Sequence, residues 1–444
     1  MQTEGYPLYF FVLIAIIGLI LFMYRPQYNF WAAIFYFSLR ELRTAALTRI
    51  EGFGPYLNLD DFVILISLIS LIRIAFKKKI KIPSVVVWLA ICFLISIVMI
   101  SLNYKFTYEV QREHKSALYF IIAIFLSYNF VSREKDFEIF LKILFLGSIV
   151  ASFQYFTLVQ EKIQIYGTGN NLETIRSVAF MSVTPSFIIT SFFIKQKWLE
   201  SSLIKIIYFV GLSLMLVNLI LSQTRSLYIS IILTIIIIYL IKKEIKVKTS
   251  LILEVIFVSF LVYIIFEQYL NIINLNEVIF RRLGLLLDSP KTDPTTISRM
   301  VAVKYEFNAF LNSNILFGNG MGFTYFISVP YTEYVAWGHI GPVAYLARMG
   351  LLGFFVYSIY IPFISLKYLL ALKTNSLHLS YTKIFVLFSI ALIINDWVSF
   401  WMSASYLEMG ASLSGTIIGA VWAAKDKRIK LTKYPVEKTK NELH

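Results

Sequence analysis

The chain has 444 residues, of which 58% are hydrophobic and 15% charged, with a formal net charge of +15. A soluble domain carries about 25% charged residues, so this composition excludes an ordinary soluble globular chain. The positive charges sit in short loops between apolar runs, the positive-inside pattern of a membrane protein and not a nucleic-acid-binding surface.

A membrane-crossing helix needs roughly 17–25 mostly apolar residues. The chain offers Leu8–Tyr24, Phe62–Phe76, Pro83–Leu102, Ala117–Val131, Phe137–Leu158, Ser177–Ile194, Leu203–Ser222, Leu227–Ile241, Leu251–Leu270, Pro342–Leu366, Lys383–Trp401 and Gly410–Ala424. That predicts an all-α, polytopic transmembrane helical bundle of about 12 spans, the shorter runs borrowing interfacial residues to complete a crossing. Met1 to Pro7 carry no Lys or Arg and no small-residue cleavage site follows the first run, which reads as a retained span and not a signal peptide. The expected divisions are 1–270 for the first spans with short loops, 271–338 for one long outward loop, 339–424 for the last spans and 425–444 for a basic tail.

Basic clusters set the sidedness. Lys77-Lys78-Lys79-Ile80-Lys81, Arg133-Glu134-Lys135, Lys195-Gln196-Lys197, Lys242-Lys243 with Lys246 and Lys248, Lys367 with Lys373, and the tail from Lys425 to Lys440 all fall on one face when the chain alternates through these runs. That face is the cytoplasm, and both termini are expected there. Arg25–Leu57 fits least well. Its apolar run Asn29–Leu39 is short, and Arg40, Arg43 and Arg49 fall outside, so it reads as an interfacial or partly inserted helix.

The outward segments are Asn103–Ser116, Val159–Arg176, Gln223–Ser226, Asn271–Gly338 and Met402–Met409. Loops beyond about 12–15 residues are usually functional or disordered, and Asn271–Gly338 carries the marks of order. Asp293-Pro294 fits an N-cap followed by proline at the first helical position. Met300, Val303, Phe307, Phe310 and Leu311 then recur at helical spacing, and Asn312 to Asn314 stop the helix. Such an amphipathic helix rests on the outward membrane surface with its Met and Phe in the headgroup region.

The chemistry-bearing residues gather around this loop. Charge near the membrane core is expensive and usually functional. Arg225 sits in the tight turn Ser222–Ser226, Arg299 opens the loop helix, and Arg348 falls about two helical turns into the next span with no carboxylate at helical spacing. A lone interfacial arginine most often snorkels to the headgroups. Several converging on one outward pocket would suit a diphosphate, because each guanidinium offers a planar fork of donors and stays charged. His339 stands where the long loop meets the next span, flanked by Gly338 and Gly341-Pro342. A neutral imidazole there can take a proton from a hydroxyl, and its plain alternative is an interfacial histidine bonded to backbone. His114 is placed in a charged short loop and His378 in a cytoplasmic one. The turn through Gly318, Gly320 and Gly322 follows a helix, so it is no dinucleotide fingerprint. It reads equally as a helix stop or as a loop contacting substrate. Tyr325, Tyr331, Tyr334 and Trp337 could stack on sugar rings, although aromatics are expected at any interface. The single cysteine, Cys92, allows no intramolecular disulfide, and no zinc-type Cys/His spacing, Asp-x-Asp or His-Glu-x-x-His occurs to suggest a metal.

Taken together, Ser298-Arg299 with its helix, Leu316-Phe317-Gly318-Asn319-Gly320-Met321-Gly322-Phe323, His339, Tyr345-Leu346 and Gly350-Leu351-Leu352-Gly353 resemble the shared core of bacterial O-antigen ligases and O-antigen polymerases. The turn Ser222–Ser226 is similar to the family's Ser-Arg turn, and Arg176 with Pro185 more faintly to its arginine before Asn-Pro. The resemblance implies a GT-C-like glycosyltransferase of the bacterial inner membrane, working at the periplasmic face without metal, cofactor or nucleotide sugar. Its donor would be an oligosaccharide on undecaprenyl diphosphate. The same resemblance implies His339 as the base on the acceptor hydroxyl and Arg225 and Arg299 as holders of the leaving diphosphate, with Arg348 and Arg176 as further candidates. Expected partners are the lipid-linked oligosaccharide, membrane lipid and a polysaccharide chain-length regulator, and not nucleic acid.

Two departures stand out. Ile340 follows the histidine where ligases often carry asparagine, and Arg348 stands near where ligases often carry a glutamate before the paired glycines. A base in place of an acid favours a polymerase, whose acceptor is itself a lipid-diphosphate glycan. Ligation to lipid A core or another acceptor is the alternative, and a transporter or flippase of the same lipid-linked glycan is the second.

Overall fold

The structure is a computed structural model and describes residues 16–21, 24–39, 59–76, 79–103, 107–166, 183–193, 202–222, 225–241, 264, 294–327, 333–335, 341–371, 380–402 and 411–426. Its helices are α1 (Gln27–Leu39), α2 (Leu59–Ala75), α3 (Ser84–Asn103), α4 (Tyr108–Phe130), α5 (Glu134–Tyr166), α6 (Val183–Ser191), α7 (Ser202–Ser222) and α8 (Arg225–Ile241). The long loop contributes α9 (Pro294–Leu311) and a short hairpin of β1 (Tyr325–Ile327) and β2 (Glu333–Val335). There follow α10 (Gly341–Phe354), a π-helical turn Phe355–Tyr360, α11 (Ile361–Ala371), α12 (Ser380–Met402) and α13 (Ala411–Asp426). Four stretches among the described residues are long and apolar enough to cross a membrane: Ser84–Leu102, Ser202–Leu219, Gly341–Ala371 and Tyr381–Trp401, with Leu227–Leu240 a shorter apolar helix.

Between helices in lipid there is little hydrophobic drive, so close backbone approach matters more. α4 and α13 show it best. A Cβ on Gly415 would fall 2.6 Å from the Phe120 carbonyl oxygen, and one on Gly419 would fall 2.3 Å from that of Ile124. Two small residues four apart thus open a groove on α13 that receives α4. Aromatic rings fill the centre, with Phe137 and Phe187 of α5 and α6 packing on Phe385 and Phe388 of α12 at centroid distances of 4.4 and 4.5 Å.

The structure corrects the sequence expectation in four places. First, of the two readings of Asn29–Leu39, interfacial or partly inserted, the interfacial one does not hold. α1 buries Asn29, Phe30, Trp31, Ala33, Ile34, Phe37 and Ser38 inside the bundle. Phe30 stacks on Phe130 at 4.7 Å, and the Asn29 amide donates to Gly18 O at 3.0 Å and Ser70 Oγ at 2.7 Å. Second, Asn103–Ser116 is not a loop throughout. α4 starts at Tyr108, one residue after the N-cap Thr107, and places His114 in its second turn with only 6% exposure. Third, the all-α expectation misses a small sheet in the long loop, where Tyr325 pairs with Val335 and Ile327 with Glu333 in an antiparallel hairpin. Aromatic and β-branched residues favour such pairing.

Fourth, the span after the loop is not one unbroken helix. Gly341–Ala371 is 31 residues long, about 46 Å if straight, against a hydrocarbon core of about 30 Å. Gly350 breaks it with φ 62° and ψ −164°. Beyond the break, Phe354 meets Trp401 and Ser358 O accepts from Trp397 Nε1 at 2.8 Å, the register of two antiparallel helices. Before the break, Gly341 and Tyr345 both meet Phe400. Gly341, Tyr345 and Phe354 therefore stand at one level, so residues 341–349 lie across one end of the bundle. The stretch beyond the break, Leu351 to Ala371, is by itself about 31 Å long. Arg348 lies in the piece before the break.

Candidate functional site

A broken helix exposes its last carbonyls and its next first amides, which must find partners elsewhere. The glycine-rich turn supplies them. Asn319 N and Gly320 N donate to Ala347 O and Arg348 O at 3.0 and 2.7 Å, while Leu351 N and Leu352 N donate to Ile315 O and Leu316 O at 2.9 and 3.1 Å. The Asn319 side-chain amide adds bonds to Ala347 O at 3.0 Å and Ala309 O at 3.3 Å, tying α9 to the same point. Asn314 starts the turn by accepting Leu316 N and Phe317 N on Oδ1. Such mutual approach needs bare backbone on both sides. A Cβ on Gly318 (φ +69°) would lie 2.6 Å from Arg348 C and O, and one on Gly350 would lie 2.4 Å from Leu316 C and O. The two short glycine motifs are thus the two halves of one joint.

The joint rests on α3 and α4. Gly322 N donates to Glu113 Oε2 at 2.6 Å, and Met321 N donates to Ser96 Oγ at 2.7 Å. Ser96 Oγ lies 3.4 Å from His114 Nε2, and His114 Nδ1 is 2.7 Å from Val110 O. One neutral tautomer satisfies the whole chain: Nδ1–H donates to the carbonyl, and Nε2 accepts from the serine hydroxyl. Glu113 Oε1 faces Arg348 Nη1 at 3.3 Å, with 10% and 7% of the two side chains exposed. The arginine that lacked a carboxylate at helical spacing finds one on a distant helix.

These contacts bring Gly318, Gly320, Gly322 and Arg348 together. The amide of each of the three turn glycines already has an acceptor within the protein, Asn314 O, Arg348 O and Glu113 Oε2 respectively. Arg225 is the first residue of α8 and Arg299 lies in the second turn of α9, while their side chains, and all of His339 and Arg176, lie outside the described residues. Ser230, five residues into α8, donates to Asn395 Oδ1 at 2.7 Å. By that pairing the start of α8 and the end of α12 lie at one end of the bundle, so the Arg225 backbone stands near the level of Phe400, against which Gly341 packs. Gly341 is two residues from His339.

Glu113, His114 and Ser96 escaped the sequence reading. A usable signal existed: Ala117–Val131 is too short to cross alone, so its helix had to extend back through the charged residues before it.

A comparison with curated proteins gives no match. Residues 210–358, about a third of the chain, which run from α7 past the broken helix and hold both halves of the glycine joint, match the family model described as O-antigen ligase.

Proposed function

We propose that the chain is a glycosyltransferase that moves an oligosaccharide from a lipid diphosphate to a hydroxyl at the periplasmic face of the bacterial inner membrane. The observation that carries this reading is the joint itself, within the stretch matched by the O-antigen ligase family model. It ties Gly322 and Arg348, which flank His339 in the chain, to one carboxylate, that of Glu113. The fuller architecture proposed is a GT-C-like bundle of about 12 spans, with 271–338 forming the outward loop.

In this reading the His339 imidazole takes the proton of the acceptor hydroxyl as the oxygen attacks the anomeric carbon. The bond from that carbon to the diphosphate oxygen breaks, and its electron pair leaves with the lipid diphosphate. Arg225 and Arg299 stabilise the charge that collects on the leaving group, the kind of interaction that grows as the bond breaks. By helical spacing Arg299 falls in register with Ala302, Glu306 and Phe310, which α9 turns inward. Arg176 is a further candidate. Arg348 is better read as part of the joint, because Glu113 balances its charge.

That balance bears on the acceptor. The polymerase reading drew on Arg348 as an extra cation for a second lipid diphosphate, and its pairing with Glu113 weakens that argument. Together with the description of the matched family, it favours a second reading, ligation to lipid A core or another acceptor.

One experiment serves both. Purified protein is given the lipid-diphosphate-linked oligosaccharide alone, then with a lipid A core acceptor. A polymerase lengthens the lipid-linked chain without the second acceptor, and a ligase forms product only with it. His339→Ala, folded and still binding donor, is expected to make no product in either assay. Product at the normal rate from that variant would sink the base assignment, and movement of donor between leaflets without new bonds would favour a flippase.

A further inference from the structure

We propose that the glycine joint is a pH-sensitive latch: the turn at 320–322 stays closed on α3 and α4 while the His114 imidazole is neutral, and a proton on His114 opens it. The inference is independent of how the transfer is catalysed, since every group it uses lies in the joint or in the two helices beneath it. The turn meets α3 and α4 on either side of one buried ring. A Cβ on Gly320 would lie 2.6 Å from Ile100 N, one helical turn beyond Ser96, and one on Gly322 would lie 2.2 Å from Val110 Cα, one turn before His114. Between these contacts Met321 N donates to Ser96 Oγ at 2.7 Å, and that oxygen lies 3.4 Å from His114 Nε2. His114 is 6% exposed, with the Phe93 ring 5.6 Å away. Lifting the turn would take Met321 off Ser96 and let water reach the imidazole from that end.

A neutral ring suits the closed arrangement. Nδ1–H donates to Val110 O at 2.7 Å and Nε2 accepts from Ser96, whose oxygen is left to accept from Met321. A second proton turns Nε2 into a donor, so the serine hydroxyl loses its acceptor. The new charge is also buried, and among the described residues no carboxylate is left to pair with it. Glu113 is engaged by Arg348 and Gly322 N, and Asp61 of α2 by Lys115 and Tyr119. Glu306 of α9, buried beside Ala302, is engaged elsewhere. α3 faces the ring with Ser96 and Phe93 and the turn with Met321, none of which titrates. α13 carries no titratable side chain before Lys425. Arg112, Lys115 and Arg348 stand nearby and oppose a further positive charge. The closed joint therefore binds fewer protons than the open one, in which water solvates the ring. Its stability falls as pH drops through the ordinary imidazole range, near 6.5. Between pH 7.5 and 5.5 the open population is expected to rise about 10-fold, the limit for one proton on a ring that titrates near 6.5 when open. Carboxylates ordinarily titrate near 4, below this interval.

The test is hydrogen–deuterium exchange, read by mass spectrometry on the full-length protein in lipid nanodiscs at about pH 7.5 and 5.5. Rates are corrected for the pH dependence of exchange in free peptides. The Met321 and Gly322 amides report the joint, and amides in the middle of α12 report the bundle. The parent should lose about 10-fold of its protection at Met321 and Gly322 on acidification, with α12 unchanged. His114→Gln, whose side chain never charges, should show none of that loss. Equal protection at both pH values in the parent overturns the proposal. A loss that persists in His114→Gln also overturns it, by assigning the sensitivity to a carboxylate. Parallel loss in α12 overturns it as well, since the whole bundle would then be unfolding in acid. Should His114→Gln not fold, His114→Asn takes its place under the same readings.

Discussion

Arg348 and Glu113 are each costly to remove singly, because the survivor keeps its charge in a nearly sealed place. Breaking a buried pair from one side costs about 3–5 kcal/mol, whereas removing both partners can be far milder. Arg348→Gln is therefore expected to unfold at a markedly lower temperature in detergent than the parent, and Arg348→Gln/Glu113→Gln at a higher temperature than the single variant. Equal midpoints for single and double would mean that the pair contributes nothing. The sequence made Arg348 conspicuous through the absence of an acid three or four residues away. It could not name Glu113, because the pairing joins α4 to the piece of α10 before its break, and periodicity within one helix carries no information about a different one. His114 was misplaced for a related reason: the charges of Arg112–Lys115 read as loop, while their helix continues beneath them.

Among elements, α9 and the broken α10 differ in how much the sequence disclosed. Pro294 and Asn312–Asn314 marked both ends of α9, and the helix runs from Pro294 to Leu311. Its exposed apolar row is as expected, with Met300 69%, Phe307 45% and Leu311 55% exposed. Phe310 instead turns inward beside Ala302 and Glu306. A spin label at Phe307→Cys, in a Cys92→Ser background, should collide more often with dissolved oxygen than with a water-soluble nickel chelate. The reverse ratio would place α9 in water and contradict the headgroup reading. The break at Gly350 was not legible, since hydropathy is blind to a backbone angle and the run 342–366 is apolar throughout. Its glycine can be tested directly. Gly350→Ala must hold a side chain at φ +62° and ψ −164°, which costs about 1–3 kcal/mol before counting its overlap with Leu316. It should unfold well below Leu351→Ala, whose side chain is largely exposed.

For the whole molecule, composition pointed to a membrane and charge placement to an expected orientation, but neither described the packing. The outward layer is polar and cross-linked: Lys115 Nζ meets Asp61 Oδ2 at 2.7 Å, Tyr119 donates to the same carboxylate, and Tyr36 donates to Asp60 at 2.7 Å. Glu113 and Arg348 belong to that layer, on the side of the membrane opposite the lysine clusters. The orientation follows if those clusters face the cytoplasm, and it makes a paired prediction. Lys79 and Asn312 are both exposed, one in a basic cluster between α2 and α3 and the other at the end of α9. In a Cys92→Ser background, a membrane-impermeant maleimide should label Asn312→Cys on intact spheroplasts and Lys79→Cys only after permeabilisation. Labelling of both from one side would break the alternation on which the outward position of the joint depends. Exchange of the two patterns would put the joint, and with it His339, in the cytoplasm, where the proposed periplasmic transfer could not occur.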